Sequence, residues 1–161
     1  GMTITGGAGA DKIISGAGTD TIIILAGDSD FGTISSPAVA VSVLADIITL
    51  AAGDILDLTG ALATQADYDT FTEVAAGGTI TTTLTTNEVG QFVGVYDPAT
   101  GNFTSSSTVA SGTASTTDVD ALFYTYAVAD ASDTTATEGL IILGLSAQSD
   151  SAILNGVITF A

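Results

Sequence analysis

Residues 6–14 read GGAGADKII and residues 15–23 read SGAGTDTII. The two stretches align without a gap at a period of nine, superposing Gly7 on Gly16, Gly9 on Gly18, Asp11 on Asp20 and Ile13 on Ile22. The apolar phase extends both ways, since Ile4 lies nine before Ile13 and Phe31 nine after Ile22. Such a period divides into a Gly-rich turn and a short strand whose middle side chain points inward, because strand side chains alternate between faces. Two units then make one coil. Glycine permits positive φ and lets backbone carbonyls converge, while the Asp that closes each turn adds a carboxylate. Stacked turns of this kind offer several hard oxygen ligands, which suits calcium, with about six to eight, better than the strict octahedron of magnesium. A Gly-rich surface loop between ordinary strands is the simpler meaning of Gly and Asp together. It gives no reason for a nine-residue phase shared by four large apolar side chains.

These residues resemble the RTX nonapeptide repeat, G-G-x-G-x-D-x-U-x, a calcium-binding repeat, over roughly residues 3–32. The resemblance implies a right-handed parallel β-roll, with calcium held between turns on the same edge, units n and n+2, eighteen residues apart. Carried over position by position, it makes Gly7, Gly9, Asp11, Gly16, Gly18 and Asp20 expected metal ligands. The third unit, residues 24–32, reads ILAGDSDFG. There Gly27 and an inward Phe31 are in phase, but Ser29 stands where the aspartate belongs, and Asp28 or Asp30 is expected to replace it. One calcium is thus expected between turn 6–11 and turn 24–30. The turn ending in Asp20 has its later partner expected at Pro37 onward, where the motif is gone, leaving that site half-built.

The composition narrows the chemistry further. The 161 residues include 18 acidic and one basic side chain, no His, no Cys and no Trp, for a net charge of −17. Histidine acid–base catalysis, thiol nucleophiles, Cys or His zinc sites and multi-Lys phosphate clamps all lack their side chains. Nucleic acid and anionic membranes are disfavoured as partners, because both are bound through cationic side chains. Hydrophobic residues make up 46% of the chain, too many for acidic disorder, so the chain is expected to fold with a cation offsetting its self-repulsion. No disulfide framework is available. The most apolar stretch, 37–52, is interrupted by Ser42, Asp46 and Thr49 and falls short of the roughly 20 residues of a membrane span. Gly1 before Met2 has the look of a residue left by tag cleavage, so the sequence is expected to begin inside a longer protein.

After Pro37 the repeat gives way to Thr, Ala, Val and Ile, which places an expected boundary between repeats at 1–36 and a β-rich domain at 37–161. Strands are predicted at 39–50, 54–58, 79–86, 91–96, 103–108, 121–128, 139–145 and 157–160, with a short helical turn after Thr59. Asp97-Pro98-Ala99-Thr100-Gly101-Asn102 and Asn155-Gly156 carry hairpin chemistry, so antiparallel pairing is expected. The fold class is therefore all-β, a short β-roll running into an antiparallel sandwich or capping domain. Gly53-Asp54-Ile55-Leu56-Asp57-Leu58 resembles a stretch that follows the last repeats in RTX proteases. Residues 138–161 resemble the uncleaved C-terminal signal of type I secretion substrates, and they also read as an edge hairpin of the core. The acidic pairs Asp54/Asp57, Asp67/Asp69, Asp118/Asp120 and Asp130/Asp133 are turn formers or additional ion ligands.

The resulting expectation is a non-catalytic, calcium-binding C-terminal module of a type I secreted RTX protein, like those of S-layers or adhesins. It would be secreted or held at the surface of a Gram-negative bacterium. Its expected partners are calcium, the secretion machinery, and its own copies or cell-surface polysaccharide. Two other readings remain. One is the tail of a secreted protease, lipase or glycosidase, although no G-x-S-x-G or H-E-x-x-H signature is present. The other is a carbohydrate-binding module, which needs exposed aromatics such as Tyr68, Tyr96, Tyr124 or Tyr126.

Overall fold

The computed structural model describes residues 1–31, 34–35, 40–42, 45–62, 70–74, 88–105, 119–127, 138–145 and 151–160. The described residues are all-β, with no helix and two mixed sheets. The short strands of the repeat are β1 (Thr3–Thr5), β2 (Lys12–Ile14) and β3 (Thr21–Leu25). In β2 and β3 every second residue is buried, Ile13 in one and Ile22 with Ile24 in the other. Ile4, the corresponding residue of β1, is half-buried and packs against the same core.

The chain then passes through β4 (Ile34–Ser35) and β5 (Ala40–Ser42) before β6 (Ile47–Thr49) and β7 (Ile55–Gly60). β1, β3 and β7 pair in parallel, with Thr3 opposite Thr21 and Ile22 opposite Leu56. β2 pairs in parallel with β6, Ile13 opposite Ile48. β1, β2 and β3 therefore alternate between the two sheets, as do β6 and β7, and the strands eighteen residues apart at the front are neighbours, as the nine-residue period requires.

The third unit departs from expectation. Phe31 is not the next residue inward after Ile13, because Ile48 lies beside Ile13 instead. The chain leaves after Asp30, and β4 and β5 lie at the far margin of the nine-stranded sheet, where β5 pairs with β10 (Asn102–Ser105). It returns at Ala45-Asp46 to lay β6 against β2. Phe31 instead meets Phe123 edge to face, with ring centroids 6.1 Å apart, in a second apolar cluster.

The remaining strands are β8 (Thr70–Val74), β9 (Glu88–Asp97), β11 (Val119–Tyr126), β12 (Glu138–Leu143), β13 (Ser151–Leu154) and β14 (Val157–Phe160). The five-stranded sheet runs β1-β3-β7-β14-β13. The nine-stranded sheet runs β2-β6-β12-β11-β9-β10-β5-β4, with β8 beside β9. The predicted antiparallel body is present in β9 to β12, and both hairpins form. Pairing is not uniformly antiparallel, however, since β8–β9 and β6–β12 are parallel.

The main core draws Ile13, Ile48, Tyr124 and Ile142 from the nine-stranded sheet and Ile22 and Leu56 from the five-stranded one. The opposite side chains of β11 and β12, Phe123 and Ile141, feed the second cluster. These two strands are buried on both faces, which is why β12 reads as a nearly unbroken apolar run. Leu62 N–H donates to the Leu58 carbonyl at 3.0 Å, a single turn where a helical one was predicted. The predicted strand 79–86 lies outside the described residues, as do Asp67, Asp69, Asp118, Asp130 and Asp133.

Candidate metal site

The two repeat turns have one backbone shape. Gly7 and Gly16 have φ of 87° and 92°, and Gly9 and Gly18 have 117° and 106°. Nothing lies within 4 Å of a side chain added at these positions, so glycine is required there by the sign of φ and not by crowding.

Each turn ends in an aspartate that starts a strand, and that carboxylate reaches the preceding layer. Asp20 Oδ1 accepts from Met2 N–H at 2.6 Å, Asp46 Oδ1 from Asp11 N–H at 2.8 Å, and Asp54 Oδ1 from Asp20 N–H at 2.8 Å. Two rows of stacked aspartates result, Asp11 with Asp46 at one corner and Asp20 with Asp54 at the other. Asp20 thus finds its later partner at Asp54, and not at Pro37 onward as the period suggested.

The corners differ in how their carboxylates are satisfied. Asp54 is fully buried and accepts additionally from Ser15 Oγ at 2.7 Å and Ala51 N–H at 2.8 Å, both at Oδ2. Burial alone would raise its pKa, but the three donors outweigh it and hold the carboxyl below its ordinary value. Asp46 is also fully buried, yet its Oδ2 has no donor, and neither does Asp11 Oδ2. Burial, reinforced by the charges of Asp11 and Asp28 and opposed by the Asp11 amide, pushes the Asp46 carboxyl up to about 6. Asp20 Oδ2 is likewise left without a donor.

The expected neighbour of turn 6–11 is in place: Gly9 N–H donates to the Asp28 carbonyl at 3.3 Å. Asp28 Oδ2 caps its own turn by accepting from Leu25 N–H at 3.0 Å, whereas Asp30 is exposed. Gly27 N–H donates to the carboxylate of Glu138, 111 residues away. Ser29, where an aspartate was missing, is fully buried; its Oγ donates to the Gly139 carbonyl at 2.7 Å and accepts from Asp46 N–H at 2.9 Å.

Glu138 is buried, and its Oε2 lacks a donor. Burial raises its pKa, the Gly27 amide and Tyr126 oppose this, and the charges of Asp30 and Asp28 add to it. The buried Tyr126 phenol is pushed well above its ordinary value by burial and then by Glu138, Asp46 and Asp28. The only basic side chain, Lys12, is exposed.

Among the described residues no three Asp or Glu side chains converge closely enough to hold a metal ion. The Asp11–Asp46 corner offers less than that, two carboxylates in hydrogen-bonded neighbours, each with one buried oxygen that has no donor. Hard oxygen donors with uncompensated charge fit calcium. Buried oxygens without partners call for an ion, a proton or a water.

Sequence reasoning missed Asp46, Ser15 and Glu138. The first had a signal: Asp46-Ile47-Ile48 and Asp54-Ile55-Leu56 repeat the frame of Asp11-Lys12-Ile13 and Asp20-Thr21-Ile22. Glu138 had none, being brought in by long-range pairing. In the pair Asp54/Asp57, Asp57 Oδ1 accepts from the amide and hydroxyl of Thr59, the turn-forming arrangement of the two alternatives. Tyr96, Tyr124 and Tyr126 are buried, which removes them as a sugar-stacking platform, and Tyr68 lies outside the described residues. No protein-family model and no curated protein matches the chain.

Proposed function

We propose that this chain is a calcium-binding extracellular module from the C-terminal part of a type I secreted RTX protein, folded by calcium and serving a structural or surface-assembly role. One observation carries the reading. Two turns whose glycines share the same positive φ, flanked by strands paired in parallel, end in carboxylates with donorless buried oxygens, in a chain with one basic side chain. The parallel pairings β1–β3–β7 and β2–β6 support a short roll as the finer description of the front.

Without calcium, carboxylates about 4 Å apart repel by roughly 1 kcal/mol even in water, and more where water is excluded. Extracellular calcium modules bind at about 10⁻⁴ to 10⁻³ M, so millimolar calcium adds its binding free energy to folding. A calcium-poor compartment would keep the chain unfolded and exportable. The roles of residues 138–161 as a secretion signal, and of polysaccharide or further copies as partners, belong to this proposal. The hydrolase-tail reading assigns the same job to this chain and differs only in what precedes it. The carbohydrate-binding reading is disfavoured by the buried tyrosines.

Thermal melting in calcium and in EGTA tests the proposal. A large fall in Tm in EGTA is expected, partly copied by Asp11→Ala in calcium. Coincident curves for the unaltered chain would sink the calcium reading.

A further inference from the structure

We propose that the second carboxylate ligand of the calcium is Asp46, a residue outside the repeat, so that the ion lies at the Asp11–Asp46 corner, where both carboxylates keep a buried oxygen without a donor, and not at the Asp20–Asp54 corner, where Asp20 alone does. This rests on the calcium reading and fixes where, and by which residues, the ion is held.

Three candidates could partner Asp11, and their surroundings separate them. Asp30 is exposed, and nothing ties its carboxylate to the turn. Asp28 uses Oδ2 to cap Leu25 N–H, so its carboxylate is turned toward its own backbone. Asp46 is held against turn 6–11 by its Oδ1 contact with Asp11 N–H, is fully buried, and has Oδ2 free of any donor. Its position in the layer is the one a third repeat aspartate would fill, since Ile47 N–H bonds the Asp11 carbonyl at 2.8 Å as Thr21 N–H bonds the Met2 carbonyl. Position 29 carries serine, and the aspartate that takes the place beside Asp11 comes after the detour, at position 46. Ser29 Oγ, bonded to Asp46 N–H, fixes the returning residue in place.

The other corner has the same stacking and a different outcome. Both Asp54 oxygens are matched by Asp20 N–H, Ser15 Oγ and Ala51 N–H, a full set of neutral donors. Asp20 Oδ2 is the one donorless oxygen there, and Asp54 could join it on an ion only by giving up these bonds, leaving amides and a hydroxyl unpaired in a buried site.

Calcium titration by calorimetry of the full chain, with terbium emission as a second readout, tests the assignment. Hard oxygen sites accept terbium in place of calcium, and without Trp only tyrosine can sensitise it. Asp46→Asn keeps an acceptor for Asp11 N–H, and Asp11→Asn provides a second variant should the first not fold. Each is expected to weaken calcium at least about tenfold, one ligand charge being worth roughly 1.4 kcal/mol or more, while Asp30→Asn and Asp20→Asn change affinity by less than about threefold. Tyr126→Phe is expected to dim terbium emission without weakening calcium, because the charges of Asp46 and Asp28 reach its phenol. If the unaltered chain binds no calcium, the functional proposal itself falls. If it binds and the two corner variants titrate like it, or if Asp30→Asn is the variant that loses the ion, the Asp46 assignment alone is overturned.

Discussion

Asp46 and Asp54 hold equivalent places in adjacent corners, and their environments set them apart. Asp54 is matched by three donors, so Asp54→Ala strands a hydroxyl and two amides and is expected to cost about 3 kcal/mol, read by urea unfolding. Its lowered carboxyl contributes stability above the unfolded pKa, and that contribution is lost as pH falls through the folded value. Asp46 runs the other way. Its folded carboxyl is raised from 3.8 to about 6, so in chelator the folded state holds the proton longer than the unfolded one. Stability therefore declines as pH rises through this window, by on the order of 2–3 kcal/mol. In EGTA at pH 7, Asp46→Asn is expected to melt above the unaltered chain, and in saturating calcium below it. Equal melting temperatures in EGTA would contradict the strained, ion-free carboxylate described here.

The elements explain which parts could be read in advance. Both hairpins depend on local chemistry that sequence displays. Asn155 and Gly156 have φ of 51° and 78°, the pair of positive values a tight two-residue turn requires. At the other hairpin Asp97 accepts from Ala99 N–H and Thr100 Oγ1 and so shapes its own turn. The strands β9 to β12 follow from alternation. What could not be read was the excursion through β4 and β5, because Phe31 keeps the nine-residue phase and only tertiary pairing decides that Ile48 lies beside Ile13. Half the candidate site was legible for the same reason. Gly7, Gly9 and Asp11 sit in an unbroken local period, while Asp46 is delivered by a return path. Two glycine substitutions separate these regimes. Gly16→Ala meets open space and a backbone penalty only, an expected loss of about 1–2 kcal/mol. Gly94→Ala places its methyl 2.0 Å from the Thr104 carbonyl oxygen, where the strands must part, and is expected to cost about 3 kcal/mol or more in the same unfolding assay.

On the scale of the whole molecule, the front strands and the closing strands belong to the same two sheets. β2 reaches β12 through β6, and β3 reaches β14 through β7. A chain ended after residue 137 would lack β12, β13 and β14, leaving β6, β7 and β11 each with an open edge and β11 with β9 alone as its neighbour. It is expected to lose the cooperative melting transition, with calcium unable to restore it, as followed by circular dichroism. Retained cooperative melting in that shortened chain would show the front and body to be independent.

The Gly27–Glu138 contact also sets a timetable for folding. The glycine bends are translated first, yet the side chain that clamps one of them is 111 residues downstream. Closing so wide a loop precedes any reward from the contact, and topologies of this sort acquire their native order slowly. A nascent polypeptide therefore cannot clamp the Gly27 bend until the strand that carries Glu138 has emerged, which delays the locking of that bend well past its own synthesis.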